Sequence, residues 1–135
     1  MLPQLLFLDD NDELRQVMAD LFKCYLNLDC LGFRSLEDLK QNFDQALDCR
    51  IAILDIELGP RQATGLDAFY WMRSEGFSGD IFFLTGHGRS HPLVMEAEET
   101  GVQVLEKPIS AGQMLRAFSN SLQAPTSKFN HLGMA

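Results

Sequence analysis

Five side chains that could do chemistry follow short apolar runs in this sequence: Asp9, Asp10, Asp55, Thr85 and Lys107. A short apolar run bounded by turn residues predicts a buried strand. Each of these side chains is therefore expected where a strand ends and the sheet meets solvent. Open α/β folds bind their ligands at that edge.

The residue types at this edge predict phosphoryl chemistry. Three clustered carboxylates repel one another, and a divalent cation such as Mg²⁺, which prefers oxygen ligands, relieves that repulsion. The group contains no Cys or His, which argues against zinc or copper at this place. Lys107 adds an ammonium and Thr85 a hydroxyl, and both groups can bind phosphate oxygens. A carboxylate surrounded in this way can attack phosphorus and form an aspartyl phosphate.

Five strands must position these residues, and five helices must alternate with them. The apolar runs predict strands at 4–8, 30–33, 51–54, 81–84 and 102–105. Strict alternation predicts an α/β fold, a doubly wound parallel (βα)5 sheet in three layers. A flavodoxin-like strand order of 2-1-3-4-5 makes the first and third strands neighbours, so that Asp9, Asp10 and Asp55 converge.

Apolar residues at helical spacing predict the helices. The first carries a stripe from Leu14 to Tyr25, and the second is expected to run unbroken from Leu36 to Leu47. The remaining stripes are Leu66, Phe69 and Tyr70; Leu93, Val94 and Ala97; and Met114, Leu115, Phe118 and Leu122. Asn11 or Asp12, Ser35 and Ser110 are the expected N-terminal caps of three of these helices.

Composition limits the class of protein. The chain of 135 residues fits one domain, predicted over 1–122, with a polar tail or linker at 123–135. A net charge of −8 argues against direct nucleic-acid binding. No apolar run approaches the length of a membrane helix, and the N-terminus does not have the pattern of a signal peptide. Three scattered cysteines predict reduced thiols in a cytoplasmic protein.

Taken together, these residues resemble the signature of receiver domains of two-component response regulators. The resemblance covers roughly residues 4–122 and rests on strand-end residues in the expected order: Asp9-Asp10, Asp55, Thr85 and Lys107-Pro108. It implies that Asp55 accepts a phosphoryl group from a histidine kinase or a phosphotransfer protein. The domain would then act as a conformational switch. It would catalyse its own phosphorylation and slow dephosphorylation without being a turnover enzyme.

The resemblance also implies a role for each site residue. Asp10, Asp55 and the backbone carbonyl of Glu57 would hold Mg²⁺, with Asp9 assisting through water. Lys107, aimed inward by a cis Lys107-Pro108 peptide, would bind phosphate oxygens, and Thr85 would move toward the phosphate. Residues 91–122 would form the surface for a homodimer or an effector.

Two features depart from the family pattern. Val104 occupies the position, three residues before the lysine, where receivers usually carry an aromatic residue that rotates on activation. The loop between Asp55 and Gly65 is about two residues longer than the resemblance predicts. These departures leave open an alternative, a receiver-like interaction module that works without phosphorylation.

A second alternative is a phosphohydrolase of the haloacid-dehalogenase type, which also uses Asp, Thr, Lys and Mg²⁺. Such enzymes need a D-x-D motif after their first core strand, and here only Asp55-Ile56-Glu57 follows the third strand. The motif is therefore incomplete. His87 and His91 flank a loop and are interpreted as surface groups rather than ligands.

Overall fold

A computed structural model of the chain describes residues 4–119 and 121. Within this range one sheet of five parallel strands has the order β2-β1-β3-β4-β5. The strands are β1 Leu5–Leu8, β2 Cys30–Phe33, β3 Ile51–Asp55, β4 Asp80–Thr85 and β5 Gln103–Glu106. The predicted flavodoxin-like α/β fold and its strand order are confirmed.

Helices cover both faces of the sheet and complete three layers. They are α1 Asp12–Leu26, α2 Leu36–Gln41, α3 Phe43–Ala46, α4 Gly65–Ser74, α5 Pro92–Glu99 and α6 over residues 111–119. Met18 and Phe22 of α1 share an apolar cluster with Met114 and Phe118 of α6. The side chains from α2 to α5 form a second cluster against the other face. Burial on both faces explains why the central strands are apolar throughout.

Strand register brings the expected site residues to one level at one edge. Leu8 pairs with Leu54 across β1 and β3, so the following residues, Asp9 and Asp55, leave the sheet side by side. Thr85 pairs with Glu106 across β4 and β5, and Lys107 comes directly after that pair. The parallel topology therefore brings strand ends from distant parts of the chain together.

The prediction of one unbroken helix from Leu36 to Leu47 is wrong. The helix ends at Gln41, and a short second helix begins at Phe43, because Asn42 has a non-helical ψ of 19°. The Asn42 side-chain amide donates to the Asp38 carbonyl at 3.0 Å, the group that a helical backbone N–H would otherwise bond. Such local side-chain hydrogen bonds compete with the helix.

Some of the predicted apolar positions are exposed. Val17, Tyr25, Tyr70 and Leu115 lie largely in solvent, because the sheet covers a narrower face of each helix than the sequence stripes suggest. Leu122 and the predicted tail at 123–135 lie outside the described residues, and the predicted domain boundary stays a prediction. None of the described helices has the length and hydrophobicity that crossing a membrane requires.

The three predicted caps are present. Asn11 accepts from the Leu14 backbone N–H, and Ser35 accepts from that of Asp38. Ser110 and Gln113 form the reciprocal capping box expected at the start of α6. The cap at Asn11 starts α1 directly after the carboxylates that end β1, and this fixes where those carboxylates leave the sheet.

Candidate functional site

The carboxyl ends of β1, β3 and β5 form an acidic pocket, defined here as Asp9, Asp10, Asp55 and Lys107. Asp9 and Asp55 are buried, whereas Asp10 is exposed at the mouth. One carboxylate oxygen from each aspartate lies within 4.8 Å of the other two. The structure therefore brings together the three carboxylates that the sequence places at separate strand ends.

Asp9 is the most enclosed of the three, at 0% exposure. Its Oδ1 accepts from the Asn11 backbone N–H at 2.9 Å, and Arg15 donates to its backbone carbonyl at 2.7 Å. Its Oδ2 lies 3.0 Å from the Lys107 ammonium and has no other polar partner among the described residues. A buried carboxylate oxygen with a single polar partner can also bind a cation. Sequence reasoning did not find Arg15, which positions Asp9.

Asp55 ends β3 and is 3% exposed. Its Oδ2 accepts from Lys107 Nζ at 3.2 Å, and its Oδ1 accepts from the Glu57 backbone N–H at 3.3 Å. Burial and the neighbouring charge of Asp9 raise the pKa of Asp55 to about 7, against the opposing effect of Lys107. Without a cation the pocket therefore holds more negative charge than one lysine neutralises.

Lys107 lies between the two buried carboxylates. Burial by itself would lower the pKa of Lys107, but its hydrogen bonding and charge interaction with Asp9 and Asp55 outweigh burial and raise that pKa. The Lys107-Pro108 peptide is cis, as the family resemblance implies. The two carboxylates favour the protonated ammonium and hold it within reach of any anion that enters the pocket.

Thr85 ends β4, is 1% exposed, and accepts a hydrogen bond from the His87 backbone N–H at 2.9 Å. It also lines a cavity of about 660 Å³ that runs along β5 toward α5 and includes Val104. The Val104 side chain is partly buried against the core. The space beside Thr85 is thus bordered by a small aliphatic residue.

The loop after Asp55 is held to the core at its start, by buried side chains, and at its far end, by Gly65. Ile56 and Leu58 are buried, and Gly59 turns the chain with a φ of +106°. At its far end, a Cβ atom on Gly65 would lie 2.3 Å from the Asp55 carbonyl oxygen. Only glycine permits this approach of α4 to the end of β3. The loop is therefore closed tightly against the strand that carries Asp55.

A second group of side chains lies at the rim of the pocket and is called the rim cluster: Glu57, His87 and His91. His87 Nε2 lies 2.7 Å from Glu57 Oε2, and His91 Nε2 lies 3.3 Å from Glu57 Oε1. Sequence reasoning correctly put the histidines at the surface but missed their convergence on Glu57. The signal available was the His-x₃-His spacing in a loop at the same sheet edge as Glu57.

The acidic pocket fits a hard divalent cation. Its ligand atoms are oxygens, the buried Asp9 Oδ2 has only the Lys107 ammonium as a polar partner among the described residues, and the carboxylates lie close enough to share one ion. The Glu57 side chain, which no sequence prediction covered, turns to the histidines. Its backbone carbonyl is the group that the prediction assigns to the metal.

Comparison with known proteins gives a consistent result. The family model for the response regulator receiver domain matches residues 5–119. A response regulator receiver domain from Clostridium thermocellum superposes with a TM-score of 0.77 at 21% identity, covering 93% of this chain and 98% of that one. The chemotaxis protein CheY4 of Vibrio cholerae gives 0.72 at 18% identity, covering 90% and 99%.

The receiver domain of NtrX from Brucella abortus gives a TM-score of 0.75 at 18% identity, covering 88% of this chain and 98% of that one. At these sequence identities the structural similarity shows only that the fold is shared. No curated protein matches the chain.

Proposed function

The chain belongs to the response regulator receiver domain family, and from that membership we propose that Asp55 accepts a phosphoryl group from a partner's phosphohistidine. The partner is a histidine kinase or a phosphotransfer protein. The modified domain then acts as a switch in two-component signalling. The observation that carries the proposal is the Lys107 ammonium, 3.2 Å from Asp55 and 3.0 Å from Asp9 at one sheet edge.

The chemistry follows from the Asp55 environment. An Asp55 carboxylate oxygen attacks phosphorus, the new O–P bond forms, and the P–N bond to the histidine breaks. The leaving imidazole nitrogen takes up a proton. Asp55 must be ionised to attack. Burial and the charge of Asp9 raise the pKa of Asp55 to about 7, so a bound cation would favour its ionised form at neutral pH.

Asp10, Asp55 and the Glu57 carbonyl are the groups proposed to hold Mg²⁺, with Asp9 assisting through water. When bound, Mg²⁺ neutralises charge on the carboxylates and on the incoming phosphate oxygens. Lys107, which follows β5, contributes a second positive charge. Its Nζ is already held at Asp55 Oδ2, so it needs little rearrangement to contact a phosphate attached there.

Thr85 is proposed to report phosphorylation. Its hydroxyl is buried, and it accepts from the backbone of the loop that leads to α5, so a shift of Thr85 moves that loop. Val104 cannot act as the rotating aromatic residue of other receivers. We therefore expect the shift to change the shape of the cavity beside Val104 rather than the position of a ring.

The surface proposed for a homodimer or an effector is residues 91–122. Within the described part of this range, β5 has only β4 as a neighbour, so its other edge can pair. Met95 on α5 and Leu115 on α6 are exposed apolar side chains within the same range. A partner of this surface would cover both the edge and the two side chains.

The proposal is tested by intact-mass measurement after incubation with acetyl phosphate, with and without Mg²⁺. We expect a gain of one phosphoryl group (~80 Da) that requires Mg²⁺ and is lost in Asp55→Asn. Asp48→Asn, an exposed carboxylate just before the other end of β3, is the matched control and should react normally.

An adduct that survives Asp55→Asn would contradict the assignment of the acceptor. Folded protein that forms no adduct and binds no Mg²⁺ would favour the interaction module. Steady turnover of a small phosphate ester would favour the phosphohydrolase.

A further inference from the structure

The rim cluster is preorganised around one carboxylate. Both histidine Nε2 atoms contact Glu57, at 2.7 and 3.3 Å, and the two imidazole rings stack with centroids 4.3 Å apart. One ligand atom from each of the three residues lies within 4.8 Å of the others. The two rings therefore present the same nitrogen, Nε2, toward the two oxygens of one carboxylate.

We propose that Glu57, His87 and His91 form a second metal site, which takes a borderline divalent cation of the Zn²⁺ class. Two imidazoles and one carboxylate form a ligand set that suits zinc and related transition metals. Ligand atoms on a tetrahedral zinc ion are about 3.4 Å apart, given bond lengths near 2.1 Å. The spacing in the rim cluster needs shifts of about an ångström to reach that geometry.

The site is chemically distinct from the acidic pocket. The pocket offers only oxygen ligands and its buried carboxylates suit Mg²⁺, whereas the rim cluster offers two nitrogens. Imidazole competes poorly for Mg²⁺, which dehydrates reluctantly and prefers oxygen. The two sites nevertheless share one residue, since the Glu57 carbonyl is proposed for the pocket and its carboxylate for the rim.

Zinc binding would change one hydrogen bond that can be observed. The Leu93 backbone N–H donates to His91 Nδ1 at 3.2 Å, capping α5, so Nδ1 carries no proton and Nε2–H faces Glu57. Zinc at Nε2 moves the ring proton to Nδ1 and removes that cap. Solvent can replace it, because the His91 side chain is 30% exposed.

A metal at this place would join two loops. Glu57 follows the phosphoacceptor strand β3 by two residues, and His87 follows Thr85 by two residues. The bound ion would therefore tie the loop after Asp55 to the loop between β4 and α5. Zinc would in this way restrain the segment that Thr85 is proposed to move.

The test is a titration of the protein with zinc chloride against a metallochromic competitor, in saturating MgCl₂ to occupy the acidic pocket. Cys24→Ser serves as the parent, because Cys24 is the exposed thiol. Burial raises the pKa of Cys30 to about 12 and that of Cys49 to about 11, so these thiols stay protonated. We expect one equivalent to bind, with affinity reduced at least tenfold in His87→Ala and in His91→Ala.

His131→Ala, which removes the third histidine of the chain, is the matched control and should bind zinc like the parent. A ¹⁵N NMR titration should show the Leu93 amide and the Nδ1 and Nε2 atoms of His91 shifting together as zinc binds. The proposal is overturned if the His87→Ala/His91→Ala double variant binds zinc as tightly as the parent. It is equally overturned if zinc binds without moving the Leu93 amide or the ring nitrogens.

Discussion

Asp55 of the acidic pocket and Glu57 of the rim cluster are two residues apart in the chain, yet the two regions are built differently. In the pocket, Asp9 and Asp55 are buried and leave paired strands at the same register. In the rim cluster, the three side chains are between 30 and 44% exposed and lie on loops. The pocket's geometry is imposed by the sheet, whereas that of the rim depends on side-chain contacts.

The difference also governs the ions that the two regions prefer. Burial makes unneutralised negative charge costly in the pocket, so that region gains most from a hard cation that binds oxygen. At the rim, solvent screens the single carboxylate, and the nitrogen donors set the preference instead. Predictions that separate the two regions therefore test both proposals.

The largest effect is expected from Gly65→Ala, which changes the backbone support that both regions share. The added Cβ would lie 2.3 Å from the Asp55 carbonyl oxygen, so the end of β3 or the start of α4 must move. We expect a loss of about 3 kcal/mol in the free energy of unfolding, measured by urea denaturation.

Gly86→Ala is the control for that substitution. A Cβ on Gly86 meets nothing within 4 Å, so its effect on the unfolding free energy should be below about 0.5 kcal/mol. Equal destabilisation by the two substitutions would contradict the tight closure of the loop on β3.

Asp10→Asn should separate the two metal preferences. Asp10 is the exposed carboxylate of the pocket, so its loss removes a Mg²⁺ ligand without disturbing the core. We expect Mg²⁺ affinity, measured by calorimetry, to fall about a hundredfold, while zinc affinity changes less than about twofold. The His87→Ala/His91→Ala variant should lose zinc affinity and keep its Mg²⁺ affinity. Parallel loss of both affinities in either variant would mean that the regions form one site.

Asp55→Asn should stabilise the metal-free protein at neutral and alkaline pH. The pKa of Asp55 is raised in the folded state, from 3.8 to about 7, so its ionisation opposes folding. This cost is absent below pH 4, grows as the pH rises toward 7 and is constant above it. The shift from 3.8 to about 7 sets an upper bound of about 4 kcal/mol on the gain at pH 8. Because solvent reaches the mouth of the pocket and screens the charge, we expect about 2 kcal/mol at pH 8, disappearing near pH 4, measured by urea denaturation at each pH.

With Mg²⁺ added, the wild-type protein should be more stable than Asp55→Asn, because Mg²⁺ binds the wild-type carboxylate and not the amide. A gain that is the same at pH 4 and pH 8 would contradict the raised pKa of Asp55. Asp48→Asn should be nearly neutral in stability at both pH values, since Asp48 is exposed.

Lys107→Ala is expected to have the smallest effect of these variants. Lys107 opposes the rise in the Asp55 pKa, so its removal should raise that pKa by about one unit more. A ¹³C NMR titration of the Asp55 carboxyl in metal-free protein measures the change. Lys23→Ala, which removes an exposed lysine paired with Asp29, should leave the Asp55 pKa unchanged. A fall in the pKa would contradict the charge arrangement.

The fold was predictable because it depends on patterns that are local in the sequence. Apolar runs locate the strands, and their strict alternation with helices leads to the parallel order that is confirmed. Asp9 and Asp55 could be brought together by reasoning alone, since both follow strands of a parallel sheet. The spacing between them in three dimensions is fixed by main-chain hydrogen bonds rather than by side-chain details.

What could not be predicted depends on side-chain direction in irregular segments. The break at Asn42 arises because its amide reaches the Asp38 carbonyl. The convergence of His87 and His91 on Glu57 depends on two loop conformations, which apolar periodicity does not specify. The exposure of Val17 and Tyr25 depends on how much of α1 the sheet covers.

The most direct test of the central claim is to locate the phosphoryl group on the chain. The protein is incubated with acetyl phosphate and Mg²⁺, reduced with borohydride, which converts an acyl phosphate to an alcohol, and digested for peptide mass analysis. We expect homoserine at position 55 and unmodified aspartate at positions 9 and 10. Homoserine at another carboxylate, with Asp55 unmodified, would contradict the central claim.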